Sequence, residues 1–375
     1  MAEYTVPGER TAPAACPNCN GKLSWEPSAG KLKCASCATL VEPPAPPPGA
    51  RIVEHDLRAE LRAPRVKGLL GAGARQMRCK ECGAVVEFPD HIVAKKCEFC
   101  DSSAVLAEPA REDHEVPESV VPFAVDRARA TGEFRAWLAK LWFRPSNLKE
   151  KADISELHGV YVPYWTFDAD VTSSWSADAG YYYYETERYT VQENGRSVTK
   201  TRQVRRVRWE PVSGRRHDRH DDHLVCASRG LPDALAVKMA DFATGELRPY
   251  ARELLQGFSA ESYAIELPDA WQRAQAEIDA VQEQRCSGDV PGDTQRGLRV
   301  SNQYAQESYK HVLLPVWIAA FRYKDAIYRF LVNGQTGRVS GHAPYSVAKI
   351  ALTVLLVLAA VVLLVLMFQA RRPGI

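Results

Sequence analysis

The chain has 375 residues, and its apolar content of 46% is enough to fill a core, which excludes an intrinsically disordered chain. Basic and acidic residues nearly cancel, 48 against 46, so the net charge of +2 selects no class of partner. The length allows two or three domains, and ten cysteines, mostly in CxxC pairs, point to metal binding and not to a disulfide framework.

Residues 1–11 carry no apolar run and are expected to be a flexible lead without a secretory signal, so the body is expected in the cytoplasm. The first pair set follows in residues 12–41: Cys16, Cys19, Cys34 and Cys37. The second lies in residues 76–107: Cys79, Cys82, Cys97 and Cys100. Fourteen residues separate Cys19 from Cys34 and also Cys82 from Cys97, so the set is an internal repeat. Each CxxC can bend into a knuckle that aims two thiolates at one Zn²⁺, and a short hairpin brings the second knuckle in to close a tetrahedral site. Two structural zinc ions are therefore expected, with no open position for a catalytic water. Gly21 and Gly83, just after the leading knuckles, are expected to supply the permissive backbone.

Between the two sets, residues 42–75 form a proline-rich linker, EPPAPPPGA, and a basic, partly helical segment ending in GAGA. The stiff spacer predicts two ribbons held apart as separate beads. An acidic linker, residues 108–118, leads into an α+β domain with an antiparallel sheet over residues 119–345. In residues 126–143, Phe134, Trp137, Leu138, Leu141 and Trp142 recur at helical spacing, which predicts an amphipathic helix packed on the domain's own sheet; a partner or bilayer surface is the alternative.

Further on, the turn at Asn194-Gly195 predicts a hairpin between a tyrosine-rich strand and a returning strand. On that returning strand Lys200, Arg202, Arg206 and Arg208 alternate onto one face, either solvated or resting on anionic headgroups. His217, His220 and His223 follow among aspartates in what reads as a charged loop, solvated or weakly metal-binding. Helices are expected at residues 232–242 and 269–285, with Cys226 and Cys286 as small core residues. The segments VPYW and LLPVW echo each other and predict neighbouring core strands, with turns at Lys324-Asp325 and Asn333-Gly334.

Residues 346–369 hold an uncharged apolar run, IALTVLLVLAAVVLLVLMF, whose nineteen residues span roughly 28 Å as a helix, enough to cross a bilayer. A single transmembrane helix is expected, acting as a tail anchor ahead of a short tail, residues 370–375. Arg371 and Arg372 oppose a cytoplasmic body under the positive-inside tendency, but the missing signal and the cysteine usage weigh more. The expected location is the inner (plasma) membrane, single-pass, with the N-terminal domains cytoplasmic. No GxxxxGK[ST], GxSxG or HExxH occurs, so no enzyme is expected.

The cysteine modules resemble the zinc ribbon of general transcription factor B, a module that binds nucleic acid in some families and proteins in others. Lys22, Lys31 and Lys33 against Glu26 leave ribbon one neutral once a Zn(Cys)₄ centre is counted, and ribbon two is net negative. Neither carries a basic footprint for phosphate, so protein binding is expected over nucleic acid. With VVPFAVDRARATGEFRAWL, WFRPSNL, HGVYVPYWTFDA, KHVLLPVW and YRFLVNGQTGRVSG, the chain resembles bacterial zinc-ribbon proteins with a C-terminal membrane helix, which often carry a helicase-like label that the absent phosphate loop does not support. The resemblance implies an adaptor that recruits cytoplasmic proteins, of phage-shock or flotillin-like membrane systems, to the inner membrane. A membrane-tethered nucleic-acid-binding regulator is the alternative.

Overall fold

The computed structural model describes residues 15–46, 51–62, 75–88, 96–109, 117–145, 157–193, 195–323 and 326–370. The expected flexible lead, the GAGA segment, most of the acidic linker, the Lys324-Asp325 turn and the tail beyond 370 lie outside them.

Ribbon one is a three-stranded antiparallel sheet of β1 (Leu23–Glu26), β2 (Lys31–Cys34) and β3 (Leu40–Val41). Leu23, Trp25, Leu32 and Cys34 alternate inward, as a half-buried strand requires. Short β4 (His55–Asp56) then runs into α1 (Leu57–Arg62), whose first turn Asp56 caps by accepting from the Ala59 amide at 2.8 Å. Ribbon two comprises β5 (Arg75–Cys79), β6 (Val85–Phe88) and β7 (Val105–Pro109). It is followed by β8 (Ser119–Val120) and α2 (Arg127–Ala139), whose N-cap Asp126 accepts from the Arg129 amide. Phe134 and Leu138 of α2 are buried, and Phe134 meets Phe330 edge-on at 4.7 Å. The helix stops at Ala139, short of Leu141 and Trp142.

Two very long strands follow, β9 (His158–Glu193) and β10 (Arg196–Cys226), joined through Gly195, whose φ of 76° suits the hairpin turn. After α3 (Asp233–Met239), β11 (Arg248–Pro249), β12 (Ser259–Glu261) and α4 (Leu267–Asp289), a third long strand, β13 (Thr294–Tyr323), returns antiparallel to β9. The body closes with β14 (Ala326–Asn333) and β15 (Val339–Gly341), and α5 (Val347–Ala370) ends the described chain.

The pair β9–β13 is the spine. Val162 faces Leu314 and Trp165 faces His311, so the echoing VPYW and LLPVW segments are indeed paired core strands. Residues 160–169 are buried without interruption because both sheet faces are covered there. Even-numbered Val160, Val162 and Tyr164 pack with Cys79, Phe99 and Met239, on the ribbon-two side. Odd-numbered Tyr161 packs with Trp25, Leu23 and Phe123, on the ribbon-one side. Farther along, Trp165, Phe167 and Val171 pack against Trp271, Ala274 and Ile278 of α4.

Two expectations are corrected here. The ribbons are not separate beads: each covers one face of the spine, and β6 joins the main sheet through β12. The sheet is not purely antiparallel, since β12 runs parallel to β9 and β8 parallel to β13. Both are strands of only two or three residues, too short to leave a trace in sequence periodicity.

Candidate metal centres and the projecting arm

All four knuckles share one backbone design. The amide four residues after the leading cysteine donates back to its carbonyl: Asn20 to Cys16, Ala38 to Cys34, Gly83 to Cys79 and Asp101 to Cys97, at 2.8–3.0 Å. Each of these donors has a positive φ, 56°, 59°, 77° and 57° in that order. The left-handed position is therefore Asn20 and not Gly21, which corrects the glycine expectation for ribbon one. Gly21 is needed for space, because a Cβ there would lie 2.9 Å from Ser36 Oγ and 3.0 Å from Cys34 Sγ. Gly83 does supply a positive φ.

These turns gather Cys16, Cys19, Cys34 and Cys37 into one group and Cys79, Cys82, Cys97 and Cys100 into another, with the sulfurs of each within 4.8 Å of one another. The Cys16–Cys37 and Cys19–Cys34 sulfurs are 3.6 and 3.4 Å apart, and Cys79–Cys100 and Cys82–Cys97 both 3.6 Å. A disulfide needs about 2.05 Å. Tetrahedral zinc with Zn–S near 2.3 Å separates its sulfurs by roughly 3.8 Å, so both groups fit a structural zinc ion. Among the described residues no other cluster of three or more such ligands forms.

Ribbon one is fastened to the body by Trp25, whose indole N–H donates to the Phe123 carbonyl and whose amide donates to the Gln256 carbonyl, both at 2.8 Å. Ribbon two is fastened by the Phe99 carbonyl, which accepts from Arg329 at 2.9 Å, and by Glu98, which accepts from Ser259 Oγ at 2.9 Å. Burial pushes the Glu98 carboxyl above its ordinary value. Only Cys19 and Cys37 of the eight ligands are exposed.

The main sheet also carries buried ionisable groups, among them Glu261 and Lys310. Glu261 on β12 is fully buried and accepts from Ser228 Oγ at 2.9 Å; burial pushes its carboxyl up to about 8. Lys310 on β13 sits between Asp222, at 2.7 Å, and Glu54, at 3.0 Å. Burial pulls its ammonium down, but these carboxylates outweigh that and hold it above its ordinary value.

The histidine tract is strand and not loop: His217, His220 and His223 all belong to β10, with a register shift between His220 and His223. His217 meets Thr172 at 3.2 Å and His223 meets Glu277 at 2.8 Å. His220 and His223 line a cavity of about 440 Å³ with Asp221, Phe242 and Glu277, yet they do not converge on one point.

What sequence reasoning missed is the length of the β9–β10 hairpin. Pairing of β13 with β9 ends at Thr294 opposite Gly180, whereas β10 continues to pair through Arg196 opposite Glu193. Thirteen residue pairs, Tyr181–Arg208 through Glu193–Arg196, thus form a two-stranded arm, roughly 40 Å long at strand rise. Tyr182, Tyr183, Tyr184 and Tyr189 are exposed on it. The basic stripe is partly neutralised: Arg202 pairs with Glu187 at 2.9 Å, Arg206 with Glu187 at 2.5 Å, and Lys200 with Glu193. Residues 181–208 still hold seven basic against three acidic residues, for a net +4. The stripe also lies at the opposite end of the long strands from β14 and β15, which lead into the apolar helix. The available signal was composition: apart from Gly195, residues 181–208 contain no glycine or proline and are rich in tyrosine, threonine and valine.

The apolar helix α5 has one stretch, Val347–Met367, long and apolar enough to cross a membrane, and none of it is buried within the protein.

Comparison with known proteins finds no matching family description and no matching solved structure. The chain is similar to the uncharacterized protein YdjG of Bacillus subtilis (strain 168), 27% identical over 340 residues that cover 90% of this chain and 91% of that one.

Proposed function

We propose that this chain is a non-enzymatic adaptor, held at the plasma membrane by α5 with its body in the cytoplasm, that recruits acidic partner proteins through its arm. Two zinc ions keep the body folded and are not themselves the partner site. The carrying observation is the arm: thirteen residue pairs stand beyond the third strand, with exposed tyrosines and a net +4. An isolated two-stranded hairpin is marginal in water, so such a projection is favoured where a partner covers it. Exposed tyrosine and arginine are also the side chains that dominate protein interfaces. Membrane-remodelling assemblies of phage-shock or flotillin-like type are the partners that the sequence resemblance favours.

Deleting the ribbons is a poor test, because it strips both faces of the spine. The informative variant joins Gly180 to Trp209 through a short Asn-Gly turn. Full-length and arm-less proteins, each checked for two zinc ions per chain, are purified from detergent-solubilised membranes and their companions compared by mass spectrometry. Loss of specific companions from the arm-less protein is the expected result; unchanged companions would sink the arm's role. A second reading, a membrane-tethered nucleic-acid binder, is favoured by the same positive charge and by the fit of a β-ribbon to a DNA groove. Salt-dependent binding of DNA or RNA that disappears with the arm would favour it.

A further inference from the structure

After α2, Leu141 still packs on the body, and residues 142–144 run against the segment that leads into α5. The Ser346 amide donates to the Phe143 carbonyl at 2.8 Å, and Arg144 donates to the Ala343 carbonyl. The Arg144 guanidinium lies 3.7 Å over the Tyr345 ring, and Lys349 Nζ lies 5.7 Å from the centre of the Trp142 ring. These contacts fix Trp142, Phe143 and Tyr345 beside the point where the apolar run begins.

All three aromatic side chains are open: Trp142 is 73% exposed, Tyr345 67% and Phe143 41%. Trp165 and Trp317 of the same body are 1% and 5% exposed. An exposed cluster of large aromatic rings is costly in water, yet tryptophan and tyrosine are favoured at the headgroup level of a bilayer. Arginine and lysine beside them keep their charge in the polar zone while their stems lie along apolar surface. Arg144 over Tyr345 and Lys349 beside Trp142 match that zone on both counts.

We propose that Trp142, Phe143 and Tyr345, with Arg144 and Lys349, form an interfacial collar that seats the α2 end of the body on the bilayer. The occupant is the lipid headgroup layer, because the patch is continuous with the helix that crosses it; the inference thus rests on the membrane reading of α5. The collar makes the body a fixed mount and not a particle on a swivel. Since the arm lies at the other end of the long strands, it stands away from the lipid surface.

The test uses the full chain in vesicles of phosphatidylcholine and phosphatidylglycerol, with a fluorescent amino acid encoded at position 142, 183 or 356, and lipids carrying quenchers at shallow or deep positions. Retention of two zinc ions per chain verifies each variant's fold. The proposal expects at least twofold quenching at position 142 by shallow quenchers, quenching at 356 by deep ones, and none at 183. If 356 is quenched while 142 behaves like 183, the collar is wrong and the transmembrane reading stands. If 356 is not quenched, the membrane reading fails and the collar with it.

Discussion

The indole N–H of Trp25, in the first cysteine module, donates to the main-chain carbonyl of Phe123, 98 residues away, in an environment where both residues are at least 95% buried. Phe123 in turn stacks on Phe258 at 4.1 Å and meets Trp317 edge-on at 5.2 Å. A metal-organised module and the aromatic centre of the body are therefore one packing unit.

Metal removal should accordingly be felt beyond the modules. Cys34→Ser and Cys97→Ser are each expected to reduce bound zinc from two ions to one per chain, measured by elemental analysis. Each should also lower the melting temperature of the whole soluble body in a single transition, because structural zinc supplies folding energy. Unchanged melting of the body with zinc lost would show the modules to be energetically separate.

The knuckle geometry makes a prediction of opposite sign for two substitutions. Ala38 adopts a left-handed φ of 59°, a conformation costing an L-residue roughly 1–2 kcal/mol. Ala38→Gly should therefore stabilise by about 1 kcal/mol or be neutral, after the entropy of the more flexible unfolded chain is offset. Gly83→Ala, at φ 77°, should destabilise by a similar amount. Denaturant melts of the two variants decide the matter, and a destabilised Ala38→Gly would contradict the strain.

Glu261 gives a pH dependence with a definite sign. Burial raises its carboxyl from 4.5 to about 8, so the folded protein keeps a proton that the unfolded chain loses above about pH 4.5. Its contribution to stability is complete at lower pH, falls as pH rises through that window, and levels off once the folded group also ionises. Glu261→Gln should flatten this slope and stabilise the protein by up to about 4 kcal/mol at pH 8, read from denaturant melts across pH. An unaltered pH profile would show that Glu261 is charged in the fold.

Lys310 is the buried counterpart. Its ammonium, 5% exposed, satisfies Asp222 and Glu54 and lies in the field of Asp168. Lys310→Met leaves these carboxylates without their cation and should cost about 3–5 kcal/mol. Adding Asp222→Asn to that variant should recover part of the loss, a coupling that a double-mutant cycle measures directly.

The cysteine pairs were legible because a metal site is local chemistry: fourteen intervening residues suffice to specify the hairpin between knuckles. The VPYW and LLPVW pairing was legible as a shared hydrophobic pattern, although Val312 lies 148 positions beyond its partner Tyr164. The packing of the ribbons was not legible. Trp25 and Phe99 look like core residues of their own small modules, and nothing in their neighbourhood names the face they cover. Strand length was also hidden, because residues 181–208 are polar on both sides and lack the hydrophobic alternation that marks a half-buried strand. His223 was misplaced for the same reason: charge around it read as a loop, whereas its backbone is held in register by Phe167.

The placement of the two cysteine modules on opposite faces of the spine has a consequence in time. Both modules precede β9 in the chain, so on the ribosome they emerge first and can load metal while the spine is still unmade. When residues 160–165 appear, apolar on both sides, two finished lids are waiting for them. A cell short of zinc during synthesis would present that same segment bare on both faces, and such a segment is prone to aggregate before β13 arrives. Metal supply would then govern how much protein survives its own synthesis, and not only how stable the finished molecule is.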